Sequence, residues 1–208
     1  MIAERSNEPY PRLAFIVEQP LVARFFLLLQ QGVRIRRRVG CSVEAFLRNE
    51  LEVGPAALEK IQSIMLDGKP VDDIGSALIY DGSVLALSAA MPGLVGATLR
   101  RGGVYSSLRN AITYHEAGKA CVPGEGWVGI KLFNLMMAEL GPGLLRQGVL
   151  VHAADLADLL AKRSQEFRKG CTVTFEGKPV EIGILEGIAE LQRNNPVLLT
   201  VATGPVNA

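Results

Sequence analysis

The heptapeptide Val33-Arg34-Ile35-Arg36-Arg37-Arg38-Val39 decides how this chain is read. Its alternation predicts a strand, with Val33, Ile35 and Val39 on one face and Arg34, Arg36 and Arg38 on the other. Next in sequence, Ser42 suits the N-cap of a helix over Val43–Leu51, and Glu44 falls near the positive end of that helix. Gly54-Pro55 breaks the chain and opens a second helix through about Ile61. Ile64-Met65-Leu66 runs into Asp67-Gly68, a two-residue hairpin signal, and Pro70 confines the return strand to an edge. Tyr80-Asp81-Gly82 turns the chain into a strand over Ser83–Ser88. Strand, helices and hairpins in succession predict an α+β fold, with mixed sheets and packed helices in one large domain or two small subdomains.

Working outward, residues 1–9 look frayed, and the apolar run Leu13–Val17 between prolines predicts a buried strand. Pro20 opens a helix over Leu21–Gln30 that Gly32 stops. Its apolar residues lie on nearly every side, which implies a central position or cover by a second subunit. Beyond Ser88 comes a glycine-rich connection, Met91–Gly103, and a helix over Ser106–Tyr114. Gly118, Pro123, Gly124 and Gly126 mark a boundary near 118–126, between an N-terminal α+β region (1–118, with the helix-helix-hairpin unit at 41–88) and a C-terminal one (126–208). The second region reads as a helix over Trp127–Leu140 ended by Gly141-Pro142-Gly143, a strand at Val149–Val151, and a helix over Asp155–Lys169. That last helix carries an apolar stripe of Leu156, Leu159, Leu160 and Phe167. Strands at Thr172–Phe175 and Val197–Ala202 flank a helix around Ile184–Arg193. Leu66–Asp72 (LDGKPVD) resembles Phe175–Glu181 (FEGKPVE), which is read as two hairpins sharing one turn chemistry rather than as a duplication.

The bulk composition supplies a core, since 49% of the 208 residues are hydrophobic and 21% charged. A net charge of +1 argues against a surface built throughout for nucleic acid. Residues 1–40 hold seven Arg against three Glu, while residues 41–81 hold eight acidic against three basic residues, so the two segments are expected to neutralise each other. The most apolar run, Phe25–Leu29, is far short of the ~20 residues that span a bilayer. The polar start is no secretory signal, and Cys41, Cys121 and Cys171 are too scattered for a disulfide framework or zinc ribbon. A soluble cytoplasmic protein without a membrane partner is expected.

The best small-molecule candidate lies within residues 91–107. Arg100 and Arg101 supply charge, Gly102 and Gly103 allow close backbone approach, and Ser106 and Ser107 would offer hydroxyls and amides at a helix start. The spacing fits neither the dinucleotide fingerprint nor the phosphate loop. A nucleic-acid candidate is the basic strand, Arg34, Arg36, Arg37 and Arg38. His152 at a strand-to-helix junction, and His115 beside Glu116 and near Cys121, are read as ordinary hydrogen-bonded or solvated histidines. Asp72-Asp73 is read as a solvated edge, and no Gly-x-Ser-x-Gly elbow occurs. No catalytic set, metal site or cofactor is therefore assigned.

Cys41–Ser88, with Leu66-Asp-Gly-Lys-Pro-Val-Asp-Asp73 and the closing Tyr80-Asp-Gly-Ser-Val-Leu-Ala-Leu-Ser88, resembles the small RNA-binding module of a small-subunit ribosomal protein and many pseudouridine synthases. That resemblance implies basic helices on RNA phosphates, whereas this stretch is acidic. The same strands followed by Arg100-Arg101-Gly102-Gly103 resemble ubiquitin-like sulfur carriers, whose Gly-Gly tails act through a free carboxylate; here the chain continues to Ala208. Each resemblance covers less than a quarter of the chain. The functional expectation is a non-enzymatic binding or assembly protein, homo-oligomeric. The alternatives are an enzyme or sensor holding an anionic metabolite at residues 91–107, and an RNA-binding protein.

Overall fold

The computed structural model describes residues 10–89, 93–105, 109, 112–115, 122–162, 165–187 and 196–205. In chain order the first elements are β1 (Arg12–Val17), a 3-10 segment (Gln19–Phe25), α1 (Phe26–Gln31), β2 (Val33–Val39), β3 (Cys41–Ser42) and α2 (Val43–Ala45), which widens into a π turn (Phe46–Glu50). There follow α3 (Pro55–Lys60), β4 (Ser63–Leu66), β5 (Lys69–Pro70), β6 (Leu78–Ile79), β7 (Val84–Ser88), α4 (Gly93–Leu99), β8 (Gly124–Phe133) and α5 (Leu135–Gln147). The last are β9 (Val149–Val151), α6 (Ala153–Ala161), α7 (Gln165–Lys169), β10 (Cys171–Phe175), β11 (Lys178–Val180), α8 (Ile182–Gly187) and β12 (Val197–Thr203). The fold is α+β with mixed strand pairing. Among the described residues, no helix is long and apolar enough to cross a membrane.

Two compact units emerge. The middle unit is Phe26–Leu144; the split unit combines residues up to Phe25 with those from Leu145 onward. In the middle unit β2 spans the heptapeptide, with Val33, Ile35 and Val39 buried and Arg34, Arg36 and Arg38 exposed. Ser42 caps α2, its Oγ accepting from the Ala45 amide at 3.2 Å. The expected regular helix to Leu51 instead becomes a π turn, in which the Leu51 amide donates to the Phe46 carbonyl at 3.1 Å. Val43, Phe46 and Leu47 all reach the core from this stretch. The sheet runs β2-β8-β7-β4-β5, antiparallel except for the parallel β7/β8 pair. β5 is its edge, where Pro70 needs no ladder donor.

Three expectations for the middle unit are corrected. Trp127–Leu140 is not one helix: Val128, Ile130 and Leu132 point into the core as alternate residues of β8, and a helix begins only at Leu135. Gly141-Pro142 does not end that helix, which continues to Gln147. A Cβ at Gly141 would come within 2.8 Å of Leu29 and 3.0 Å of Phe26, so the glycine permits close packing on α1 rather than a stop. The glycine-rich connection contains α4, while most of the helix expected over Ser106–Tyr114 lies outside the described residues.

In the split unit the sheet runs β11-β10-β1-β12-β9. β1 is antiparallel to β10 and parallel to β12, and β12 is antiparallel to β9. Leu156, Leu159, Leu160 and Phe167 are buried as the stripe predicts, although the helix begins at Ala153 and α7 is a separate element. Phe25 packs edge-on to Phe15 at 5.1 Å and lies 5.8 Å from Phe167. The helix expected over Leu21–Gln30 is divided: Val22 and Phe25 are buried from the 3-10 segment and Leu28 and Leu29 from α1, while Leu27 stays exposed. Residues 188–193 of the last expected helix lie outside the described set.

The repeated sequence corresponds to a repeated structure. Both turns place two residues in the left-handed region, Asp67 and Gly68 at φ 51° and 79°, Glu176 and Gly177 at 49° and 75°. This is the twist a two-residue hairpin requires. In each, the acidic turn residue grips the first residue of the next strand. The Asp67 carboxylate accepts from the Val84 amide at 2.7 Å, and the Glu176 carboxylate from the Arg12 amide at 2.7 Å. The reciprocal amide-to-carbonyl bonds are 2.9 Å in both. Each hairpin borders a strand that is antiparallel to it and parallel to the next, so the likeness extends beyond turn chemistry to the pairing of five strands.

Candidate functional site

Arg109, which no local sequence pattern marks, organises the end of α4. It is 5% exposed and makes a two-pronged ion pair with Asp72, Nη2 to Oδ1 at 2.7 Å and Nη1 to Oδ2 at 3.0 Å. Its Nε donates to the Thr98 carbonyl at 2.6 Å, Nη1 to the Thr113 hydroxyl at 3.0 Å, and Nη2 to the Arg100 carbonyl at 3.4 Å. A planar fork of five donors suits this convergence of acceptors. Asp72 is thus not the solvated edge expected of it. Asp73 is exposed, and the hydroxyl of Ser76 with the amides of Gly75 and Ser76 holds its carboxyl below the usual range.

The arginine–glycine stretch divides into parts with different tasks. Arg100 lines a cavity of about 160 Å³, together with Gln62, Ser63 and the small face of α4 formed by Gly93, Gly96 and Ala97. Its Nε donates to Gln62 Oε1 at 2.9 Å, and Nη2 donates to the same oxygen. Among the described residues no acidic side chain lines this space. Ser63 is 3% exposed and its Oγ has no partner among the described residues; Arg101 Nη1 is likewise buried without one. The Arg101 amide donates to the Gln62 carbonyl at 2.8 Å, which ties the stretch to the start of β4. Gly102 and Gly103 do not line the cavity: their amides donate to Asp72 at 3.3 Å and to the Arg100 carbonyl at 3.1 Å. Ser106 and Ser107 lie outside the described residues.

The basic strand also divides. Arg34, Arg36 and Arg38 share the outward face of β2, opposite Gly129, Trp127 and Glu125 of β8. The Arg34 guanidinium lies 5.3 Å from the centre of the Trp127 ring, and Arg36 is 3.9 Å from Glu125. Arg37 belongs to the other face, where its Nε donates to the Glu50 carbonyl at the end of the π turn at 3.2 Å. The acidic stretch meets the basic one at Glu50, whose carboxylate accepts from the Arg38 amide at 3.3 Å. Others of its acids are engaged elsewhere, Glu44 with Arg48 and Asp72 with Arg109.

His152 is the exposed N-cap residue of α6, and His115 is exposed; Glu116 and Cys121 lie outside the described residues. Cys171 is buried, its thiol donates to the Phe167 carbonyl at 3.0 Å, and burial pushes its pKa up to about 11. At neutral pH it is a thiol rather than a nucleophilic thiolate. Among the described residues no three His, Cys, Asp or Glu side chains are grouped to hold a metal ion. Comparison of the chain with protein-family models, curated proteins and solved structures finds no match.

Proposed function

We propose that this chain is a binding protein that holds a small anionic group, such as a phosphate or a phosphomonoester head, in the Gln62–Arg100 cavity. The observation that carries the reading is a buried Ser63 hydroxyl, without a partner among the described residues, lining the same space as the Arg100 guanidinium. A buried donor left unsatisfied costs about 1–3 kcal/mol, and an anion accepting from Ser63 and Arg100 would recover that cost. With water occupying roughly 30 Å³, a cavity of about 160 Å³ suits one such group rather than a drug-sized ligand. Inorganic phosphate, sulfate and nucleoside monophosphates are the probes, read by calorimetry and by the shift in melting temperature. Arg100→Gln is expected to weaken binding about tenfold or more, since a hydrogen bond to a charged group contributes about 1.5–3 kcal/mol. Ser63→Ala should weaken it less. Absence of binding by every probe, or unchanged affinity in Arg100→Gln, would remove the reading.

A second reading, assembly with further copies of the chain, is favoured by a concentration of exposed apolar side chains. Leu94, Val95, Val104 and Tyr105 are 71%, 67%, 91% and 48% exposed, within and just after α4. Clustered apolar residues of this size mark association surfaces more often than isolated ones do. Light scattering should give an oligomer for the wild type and a monomer for Leu94→Glu/Val95→Glu; a monomeric wild type at tens of micromolar would end the proposal.

A further inference from the structure

We infer that the outward face of β2 and β8 binds single-stranded nucleic acid. Arg34, Arg36 and Arg38 stand at alternate positions on one strand, hence roughly 6.5–7 Å apart. Lys131 joins them from the same face of β8, its stem passing over Gly32, where a Cβ would lie 3.0 Å from Lys131 Cε. Among the described residues the carboxylates beside Arg34, Arg36, Arg38 and Lys131 are Glu125, 3.9 Å from Arg36, Glu50 at the Arg38 amide, and Asp81, which accepts from the Trp127 amide at 2.7 Å. The face is therefore locally basic although the chain carries only +1.

Its centre is aromatic. Trp127 is half-buried beside the arginine row, and two residues on Gly129 carries no side chain, with Val84 Cγ2 3.1 Å from where its Cβ would stand. A cationic row beside an aromatic ring is the combination that holds single strands: cations follow the phosphates, and a base stacks on the ring whatever its identity. Arg34, already over Trp127, can leave the ring for a phosphate as a base takes its place. The major groove of a duplex admits an α-helix or a two-stranded ribbon, whereas this face belongs to a wider sheet. The acidity of residues 41–81, which opposed RNA binding at the level of sequence, reaches the row through Glu50 and Asp81, both bonded to backbone amides, while the four cations themselves stand on β2 and β8.

Trp127 is the only tryptophan, so its fluorescence reports on this face without labelling. The experiment titrates the full chain with 15-residue oligo(U) and oligo(dT) from low to moderate salt, and follows Trp127 quenching and the anisotropy of end-labelled oligonucleotide. Quenching is expected, with affinity falling as salt rises and a log–log slope of about −3 for four phosphate contacts. Arg34→Gln/Arg36→Gln/Arg38→Gln should lower affinity at least tenfold and reduce the slope to about −1. Trp127→Leu should lose affinity with the slope retained, Trp127→Phe should keep most of it, and Lys162→Gln in the split unit should change nothing. Absence of binding at low salt overturns the inference, as does full binding by the triple variant with a native circular dichroism spectrum. Equal quenching by heparin, which has no bases, or quenching by anionic phospholipid vesicles in place of oligonucleotide, overturns it as well. These outcomes are independent of phosphate binding at Arg100, so either reading can fail alone.

Discussion

Replacing Arg109 with Met should destabilise the protein by about 3 kcal/mol, the lower end of the range for breaking a buried ion pair. The substitution leaves the Asp72 carboxylate without its counter-charge and withdraws donors from Thr98 and Arg100 carbonyls and the Thr113 hydroxyl. Asp72 is 35% exposed, so water can take over part of its solvation, which is why the lower end applies. Urea denaturation followed by circular dichroism measures the loss. Asp72→Leu should cost a comparable amount because it strands a buried cation, and Arg109→Met/Asp72→Leu should cost less than the two single changes together. A single Arg109→Met change within about 1 kcal/mol of wild type would mean that the ion pair is not what holds the end of α4. Because Arg109 binds the Arg100 carbonyl, its loss should also weaken phosphate binding.

The second large effect is expected at Gly40, between β2 and β3. Its φ is +85°, and a Cβ there would meet Pro123 Cα at 2.7 Å and Pro123 N at 2.9 Å. Those are backbone atoms that cannot swing aside, so Gly40→Ala adds a collision to the left-handed penalty of about 1 kcal/mol. Gly82 provides the control: its φ is also +85°, but nothing lies within 4 Å of its Cβ position. Gly82→Ala should therefore cost about 1 kcal/mol and Gly40→Ala about 2–4 kcal/mol. Equal losses in the two variants would remove the close approach of Pro123 as a determinant of stability.

Both residues show where local reading stops. Gly40 follows a well-predicted strand, but the partner that makes it obligatory is far along the chain. Arg109 falls in the stretch read as a helix over Ser106–Tyr114, where no local pattern distinguishes it, and only the return of Asp72 to the same place makes it structural. β8 is a different kind of miss. The alternation of Val128, Ile130 and Leu132 is visible in the sequence, but the run Leu132–Leu140 behind it has helical character, and the two periods were merged into one helix. The sharp change of period at Asn134, which takes a positive φ of 53°, marks the true junction.

The candidate sites divide along the same line. Arg100 could be singled out from charge and neighbouring glycines, but Ser63 at the start of β4 and Gln62 just before it, which complete its cavity, lie in a stretch whose sequence carries no binding signal. Likewise the row Arg34, Arg36 and Arg38 follows from period two alone, and Arg37 falls to the opposite face by the same rule. Trp127 joins that row only through the pairing of β2 with β8.

By itself the sequence determined what depends on neighbours a few residues apart. The β2 heptapeptide, the Ser42 cap, the two left-handed hairpin turns and the apolar stripe ending at Phe167 are all set by backbone preference and by the alternation of apolar residues. Tertiary structure alone decided which strands pair, that the Asp67 and Glu176 carboxylates grip the strands beginning at Val84 and Arg12, that a fork of donors from Arg109 closes on Asp72, and that a basic row faces a lone tryptophan. Those depend on contacts between distant residues, whose energy is realised only once the intervening chain has been ordered, and no local pattern encodes that.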